Sequence, residues 1–125
     1  MTQATPTSTK LIIAGTRTLN VLAMIDGLIY HFGLQPTEIV CGGASGPDRD
    51  GKEWAKIDRI PVKDFPADWD KFGKSAGPRR NLEMAEYADA LLLIWDGESK
   101  GSLNMKQRML GLKKPVYEVI LKRHQ

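Results

Sequence analysis

The sequence predicts an α/β protein with a Rossmann-like fold, in which helices cover both faces of a five-stranded parallel sheet. Short apolar runs alternate along the chain with stretches whose apolar residues recur at helical spacing. Residues 89–96 (DALLLIWD) contain a run that is apolar on both faces, which is typical of a central strand in a parallel sheet. Right-handed crossover connections place the helices on both faces of such a sheet. We expect the strand order 3-2-1-4-5.

The predicted elements alternate regularly after a polar N-terminal stretch. Residues 1–9 are predicted to be a flexible segment and residues 10–125 a single domain. The predicted strands are residues 10–15, 38–43, 61–65, 89–96 and 115–121, of which 61–65 is the least apolar and therefore a candidate edge strand. The predicted helices are residues 19–32, residues 46–60, a helix that opens at Gly77 and Pro78 after a polar loop, and a helix that follows the loop 97–101 and ends near residue 112.

Composition narrows the class of protein. A single cysteine, Cys41, excludes an internal disulfide and indicates a reducing compartment, and a free cysteine ending a strand is more typical of a core than of a nucleophile. The longest apolar run, residues 90–95, is too short to span a membrane and no signal peptide is evident, so we expect a soluble, cytoplasmic protein. The net charge of +3 is too small to indicate nucleic-acid binding by itself. Self-association into a homo-oligomer stays open.

Ligands of open parallel sheets bind beyond the carboxyl ends of the strands, where the strand order reverses. In the predicted order, that point lies between the first and fourth strands. The loops expected at this edge are residues 15–18, 42–48, 65–76 and 96–102, which are also rich in glycine and polar residues. We therefore expect the functional site there.

Two arginines stand in the first turn of the helix that opens at Gly77. Arg79 and Arg80 oppose the helix dipole, which suggests that a phosphate or similar anion binds among them and the free backbone N–H groups. The alternative is that both arginines pair with Glu83 on the same helix. Asn81 falls on the apolar stripe of this helix, where its amide either caps neighbouring backbone or contacts a ligand.

Two loops of small residues are candidate phosphate cradles, although each also fits an ordinary turn or helix cap. The first contains Gly42, Gly43 and Gly46, followed by Asp48, which also suits a helix start. The second contains Ser99, Gly101 and Ser102, whose hydroxyls are alternatively capping groups. After the first strand, Gly15 is followed by Thr16 and Arg17, which bring a hydroxyl and a guanidinium to the same edge.

The remaining polar and aromatic residues allow several interpretations. Trp69 either stacks on a base or clamps its own loop, whereas Trp54 and Trp95 fit a core or an interface. His31 and His124 lack ligand spacing, so no zinc site is predicted. Mg²⁺ bridging a ligand phosphate would suit the acid pairs at positions 48 and 50 or 68 and 70, but such pairs are also common on surfaces.

Four stretches together resemble the YspA-type branch of the SLOG superfamily, a family of largely unassigned role in bacterial and phage genomes. They are IIAGTR, VCGGASGPDRDGKEWA, FPADWDKFGKSAGPRRNLEM and LLLIWDGESKGS. The resemblance covers residues 11–120 and implies a Rossmann-like fold, a nucleotide-like ligand, and a location in a bacterial cell or phage-infected host. The ligand contacts that it implies are Gly15, Thr16, Arg17, Gly42, Gly43, Gly46, Asp48, Trp69, Arg79, Arg80, Asn81, Ser99, Gly101 and Ser102.

One departure from the wider superfamily bears on catalysis. Its phosphoribohydrolases carry PGGxGTxxE with a catalytic glutamate, and Met105 occupies that position here. Cleavage of an N-glycosidic bond needs a carboxylate, and Asp96 and Glu98 are weak candidates for that role, since nothing in the sequence shows that either replaces the glutamate. We therefore expect a carrier, sensor or sequestering protein for a nucleotide-derived phosphate ligand, with a nucleotide N-glycosidase second and a single-stranded nucleic-acid-binding protein third.

Overall fold

A computed structural model describes residues 9–122 of the chain. In this range, five strands form one parallel sheet in the order β3-β2-β1-β4-β5, which confirms the predicted fold class and strand order. The strands are β1 (Lys10–Gly15), β2 (Glu38–Cys41), β3 (Val62–Asp64), β4 (Ala90–Trp95) and β5 (Val116–Ile120). The short β3 lies at an edge of the sheet, as its weak apolar character predicts.

The helices of the described range follow the predicted alternation, with shifted boundaries. They are α1 (Leu22–His31), α2 (Pro47–Ile57), the short α3 (Trp69–Phe72), α4 (Ala76–Tyr87) and α5 (Lys100–Gly111). Helix α1 begins later than its apolar spacing predicts. The backbone N–H of Val21, just before the helix, donates to the Asp50 carboxylate of α2 at 2.7 Å, so a contact distant in sequence fixes where α1 starts.

The segment predicted as a polar loop before α4 contains short helical structure. The Asp68 carboxylate caps α3 by accepting from the backbone N–H of Lys71 at 3.1 Å. A 3₁₀ turn, Gly73–Ser75, then continues directly into α4. The helix consequently begins at Ala76, and Pro78 is its third residue rather than an opening one. Proline is tolerated there because the first N–H groups of a helix have no partner within it.

Two apolar cores lie on the opposite faces of the sheet. All six residues of β4 are buried, as expected of a central strand. One core joins the sheet to α1 and α2 through residues such as Ile13, Ile25 and Trp54. The other joins it to α4 and α5 through residues such as Met84 and Met105. This three-layer arrangement places the loops after the strands at one edge.

Most of the predicted flexible N-terminal segment, residues 1–8, lies outside the described residues. Its last residue, Thr9, belongs to the ordered fold, because its backbone N–H donates to Thr37 Oγ1 at 2.9 Å. Among residues 9–122, no helix is both long and apolar enough to cross a bilayer.

Candidate functional site

The loops after β1 and β2 pack against each other, backbone to backbone. A Cβ on Gly46 would lie 2.6 Å from the carbonyl oxygen of Thr16, and the φ of Gly46 is +75°, so glycine is required there by packing and by conformation. Ser45 Oγ donates to the carbonyl oxygen of Arg17 at 3.2 Å. A Cβ on Gly15 would overlap the carbonyl oxygen of Ile94 in β4. These glycines therefore have structural reasons that are independent of a ligand.

The carboxylate of Asp48 lies against the glycine-rich loop after β2. Asp48 is only 6% exposed, and the backbone N–H groups of Gly42, Gly15 and Ala44 donate to its carboxylate. Burial raises the pKa of Asp48 to about 6, against the lowering effects of the Arg80 charge and of these three donors. The N–H groups predicted to receive a ligand phosphate thus already hold an anion that belongs to the chain.

The two arginines of α4 have different environments. Arg80 is half-buried, and its guanidinium donates to the carbonyl oxygen of Gly42 and, through Nε, to Asn81 Oδ1 at 3.1 Å. Arg79 is exposed; its guanidinium lies over the Phe72 ring, 4.2 Å from the centroid, and its Nε donates to Ser75 Oγ at 3.1 Å. Arg80 is therefore the arginine that reaches the loop after β2, whereas Arg79 stays on the segment before α4.

The alternative pairing of these arginines with Glu83 does not occur among the described residues, where neither arginine forms an ion pair with it. Arg80 does not pair with Glu83 because its side chain turns toward the loop after β2.

Asn81 joins α4 to the start of α5. Its Nδ2 donates to the carbonyl oxygen of Gly101 at 3.3 Å and to Asn104 Oδ1 at 3.0 Å, and its Oδ1 accepts from Arg80. Asn81 is 8% exposed, so these bonds satisfy a buried amide. Of the two interpretations of this residue, the geometry favours capping of neighbouring groups.

A chain of hydroxyl groups connects the loop after β1 to the loop after β4. Thr16 Oγ1 accepts from the backbone N–H of Asp96 at 3.0 Å and lies 3.0 Å from Ser99 Oγ. Ser99 Oγ in turn donates to Ser102 Oγ at 2.8 Å. Thr16 and Ser102 are buried, so this chain fixes the two loops where the strand order reverses.

Asp96 stabilises its own loop. Its carboxylate accepts from the backbone N–H groups of Glu98 at 2.8 Å and Ser99 at 2.9 Å, and these two bonds lower the pKa of Asp96. Asp96 is therefore held ionised, unlike a general acid. Helix α5 then starts at Lys100 without a side-chain cap from any described residue, and a Cβ on Gly101 would meet nothing within 4 Å.

The described residues form two clefts at this edge. The first, which we call the Asp48 cleft, has a volume of about 300 Å³ and is lined by Cys41, Gly43, Ala44, Ser45, Asp48, Arg49 and Lys52. The second has a volume of about 230 Å³ and is lined by Pro66, Ala67, Asp68, Phe72, Ala76, Arg79, Arg80 and Glu83. Asp48 lines the first cleft and Arg80 the second.

Arg49 and Lys52 are cleft residues that the sequence reasoning missed. Lys52 Nζ lies 3.2 Å from the Asp64 carboxylate, and Arg49 Nε lies 3.9 Å from that of Asp50. The available signal was helical spacing, because residues four apart share a face and Lys52 follows Asp48 at that distance. Both cations are partly exposed, so they remain accessible from the cleft.

Cys41 is buried, which confirms its prediction as a core residue. Its thiol donates to Asp64 Oδ1 at 3.1 Å. Burial and that hydrogen bond raise the pKa of the Cys41 thiol to about 12. The thiolate form that a nucleophile needs is therefore suppressed.

The tryptophans divide into one exposed and two buried side chains. Trp54 and Trp95 are buried and donate their ring N–H to Asp26 and Glu118, which confirms them as core residues. Trp69 is 58% exposed, and one edge of its ring packs on Gly77. Trp69 thus contacts the start of α4 and leaves much of its ring open for stacking.

The acid pairs considered for Mg²⁺ do not converge. Asp48 faces the glycine-rich loop, Asp50 accepts from Val21, and Asp68 caps α3. No group of three or more potential metal-ligating side chains occurs within residues 9–122, and His124 lies outside that range.

Comparison of the chain with protein-family models, curated proteins and solved structures finds no match. Its function is therefore inferred from the geometry of the described residues.

Proposed function

We propose that this protein binds a nucleotide-derived ligand through its phosphate in the Asp48 cleft. The observation that carries the proposal is the composition of the cleft wall, which joins the exposed backbone of Gly43 to the cationic side chains of Arg49 and Lys52. Backbone N–H groups and cations are the usual partners of phosphate oxygens. The volume of about 300 Å³ is at the lower end of the range for small-molecule sites.

The cations of the cleft have weak partners that a phosphate can replace. The ion pair of Lys52 with Asp64 is partly exposed, and such pairs contribute little to stability. Arg49 lies at the outer limit of an ion pair with Asp50. A phosphate bound between them would exchange these contacts for charge-assisted hydrogen bonds.

Two further features support a nucleotide ligand that is bound rather than cleaved. The resemblance to YspA-type SLOG proteins favours a nucleotide-like ligand, and the exposed ring of Trp69 is available for stacking at the same edge. Met105, at the position of the phosphoribohydrolase glutamate, is buried in the core. The role that fits best is that of a carrier, sensor or sequestering protein.

The test combines a ligand panel with matched charge reversals. Thermal shift and calorimetry are measured with nucleoside monophosphates, cyclic dinucleotides, ADP-ribose derivatives and the corresponding unphosphorylated nucleosides. We expect a phosphorylated member to bind, and we expect Arg49→Glu and Lys52→Glu to weaken that binding. Lys56→Glu is the control, because Lys56 lies on the same helix outside the cleft and the substitution changes the net charge equally.

Several results would contradict the proposal. Equal losses in all three variants would indicate long-range attraction rather than contact in the cleft. Binding of single-stranded DNA alone, with affinity that falls steeply as salt is added, would favour a nucleic-acid-binding protein. Release of free base at an ordinary enzymatic rate, on the order of one per second, would favour the N-glycosidase.

A further inference from the structure

Asp48, near the start of α2, contacts the glycine-rich loop and also lines the wall of the Asp48 cleft. Its carboxylate occupies the N–H groups of Gly15, Gly42 and Ala44, and the same side chain lines the space that a ligand would enter. An anion in the cleft therefore meets a second anion at its wall. Two like charges in a poorly solvated place repel strongly unless one of them is neutralised.

The groups that surround Asp48 come from several elements. The Arg80 charge of α4 acts on it, and Arg49 and Lys52 of its own helix line the cleft. The end of β1 contributes the backbone of Gly15. The Cys41 thiol of β2 is neutral, because burial and its bond to Asp64 raise its pKa to about 12. The hydrogen bond from the Cys41 thiol and the charge of Lys52 lower the pKa of Asp64, at the end of β3.

Asp48 is consequently the carboxyl group of this cluster that is positioned to change its charge near neutral pH. Burial raises its pKa to about 6, whereas Asp64 is held ionised. A protonated carboxyl group keeps acceptor capacity for the loop N–H groups and gains one O–H donor. In that state, Asp48 can donate a hydrogen bond to an oxyanion instead of repelling it.

We infer that Asp48 is the specificity-determining residue of the cleft. The cleft binds an oxyanion, and a proton binds the Asp48 carboxyl group at the same time. The inference rests on the proposed function and adds the linkage of that site to pH. The proton comes from solvent and binds a carboxylate oxygen, so no other reactant is involved. The favoured ligands are phosphate or sulfate groups with an oxygen that accepts from this O–H.

Linkage fixes the sign of the pH dependence. A bound anion raises the pKa of Asp48 above its ligand-free value of about 6, so the complex holds more protons than the free protein does above that pH. Affinity then rises as the pH falls toward 6, by up to about tenfold per pH unit for one linked proton. Below this range Asp48 is protonated in both states, and its contribution to the pH dependence ends.

Inorganic sulfate and a 3′,5′-cyclic mononucleotide are suitable probes, because neither titrates in this range, whereas a phosphate monoester has a second pKa of about 6 itself. Calorimetry at neutral pH in buffers of different ionisation enthalpy measures the protons taken up per anion bound. We expect uptake of a substantial fraction of one proton by wild type. Asp48→Asn should bind the same probes without uptake and with nearly constant affinity between about pH 6 and 8.

Asp50→Asn is the matched control. Asp50 is another buried carboxyl group of α2, but it faces the Val21 N–H, so this variant should keep the proton uptake of wild type. A second readout uses wild type alone: infrared difference spectra on addition of sulfate should gain the C=O band of a protonated carboxyl group. This readout keeps the inference testable if Asp48→Asn folds poorly.

The outcomes separate the inference from the proposed function. Binding without proton uptake or infrared band overturns the role of Asp48 and leaves the phosphate site in place. Uptake that persists in Asp48→Asn also overturns it, because another group then binds the proton. Failure of every probe and every nucleotide to bind overturns the proposed function, and this inference with it.

Discussion

The loops after β2 and β4 have similar compositions and different arrangements of charge. Both join a strand to a helix through small residues at the carboxyl edge of the sheet. In the first loop, the N–H groups hold Asp48, which comes from the following helix, is buried and has a raised pKa. In the second loop, the N–H groups hold Asp96, which directly follows the strand, is partly exposed and has a lowered pKa.

This difference shows that small residues between a strand and a helix do not identify a phosphate site by themselves. In both loops a carboxylate of the chain binds some of the N–H groups that a ligand would otherwise use. What distinguishes the first loop is the buried carboxylate beside a cleft with two further cations. The functional difference between the loops therefore lies in burial and neighbouring charge.

The strongest test of this difference is removal of the cation behind Asp48. We expect Arg80→Ala to lower the free energy of unfolding by about 2–4 kcal/mol at pH 7, because Gly42 and Asn81 lose a partner and a buried carboxylate loses a neighbouring cation. Urea denaturation measures the change. The helix dipole alone would make Arg80→Ala more stable than wild type, since a cation in the first turn opposes the dipole.

Arg79→Ala is the control for this substitution. Arg79 occupies the same helical turn but contacts Phe72 and Ser75 at the surface, so we expect a loss of about 1 kcal/mol or less. The loss in Arg80→Ala should also shrink at pH 5, where protonation of Asp48 becomes substantial. Equal losses in the two variants, or no effect of pH, would mean that Arg80 does not support Asp48.

The next test concerns the pH dependence of stability. The pKa of Asp48 is raised from 3.8 to about 6 on folding. Its stabilising contribution to the free energy of unfolding is therefore fully present below pH 3.8 and is lost as the pH rises through 6. As the pH rises between these values, we expect the free energy of unfolding of wild type to fall by about 1–3 kcal/mol relative to that of Asp48→Asn. Denaturant titrations at a series of pH values measure this difference, and a constant gap between the two proteins would contradict a buried, titrating Asp48.

The pKa of Asp96 is shifted in the opposite direction to that of Asp48. Because its pKa is lowered by bonds formed in the fold, its contribution is present above its unfolded value and is lost as the pH falls through the folded one. As the pH falls through the folded pKa of Asp96, the free energy of unfolding of Asp96→Asn should therefore decrease less than that of wild type. Above pH 5, the free energies of unfolding of the two proteins should vary with pH in the same way.

The fold was predictable because its signals are local. Alternating apolar patterns give the succession of strands and helices, and the fully buried run identifies β4 as a central strand. Boundaries were less predictable, since Asp50 fixes the start of α1 from another helix. The same limit applies to the site: the relevant loops were predicted, but the convergence of Arg80, Gly42 and Asp48 depends on packing between distant segments.

The smallest expected effect concerns the start of α5, which follows the second loop. The start of α5 has no side-chain cap from any residue between 9 and 122, and Gly101 has open space around its Cβ position. Gly101→Asp would add an anion of the chain to this helix terminus. Relative to the neutral variant of the same size, Gly101→Asn, we expect an increase of about 0.3–1 kcal/mol in the free energy of unfolding, which added salt should reduce.

The same pair of variants separates the two possible positions of a ligand phosphate. If the phosphate binds in the Asp48 cleft, Gly101→Asp and Gly101→Asn should have equal affinity for the best nucleotide of the panel, because neither changes that cleft. If it binds at the start of α5, the added carboxylate should weaken binding strongly in Gly101→Asp alone, since it occupies the same N–H groups. Gly111→Asp, at the other end of α5, controls for net charge and should be less stable than Gly111→Asn, because an anion there opposes the helix dipole.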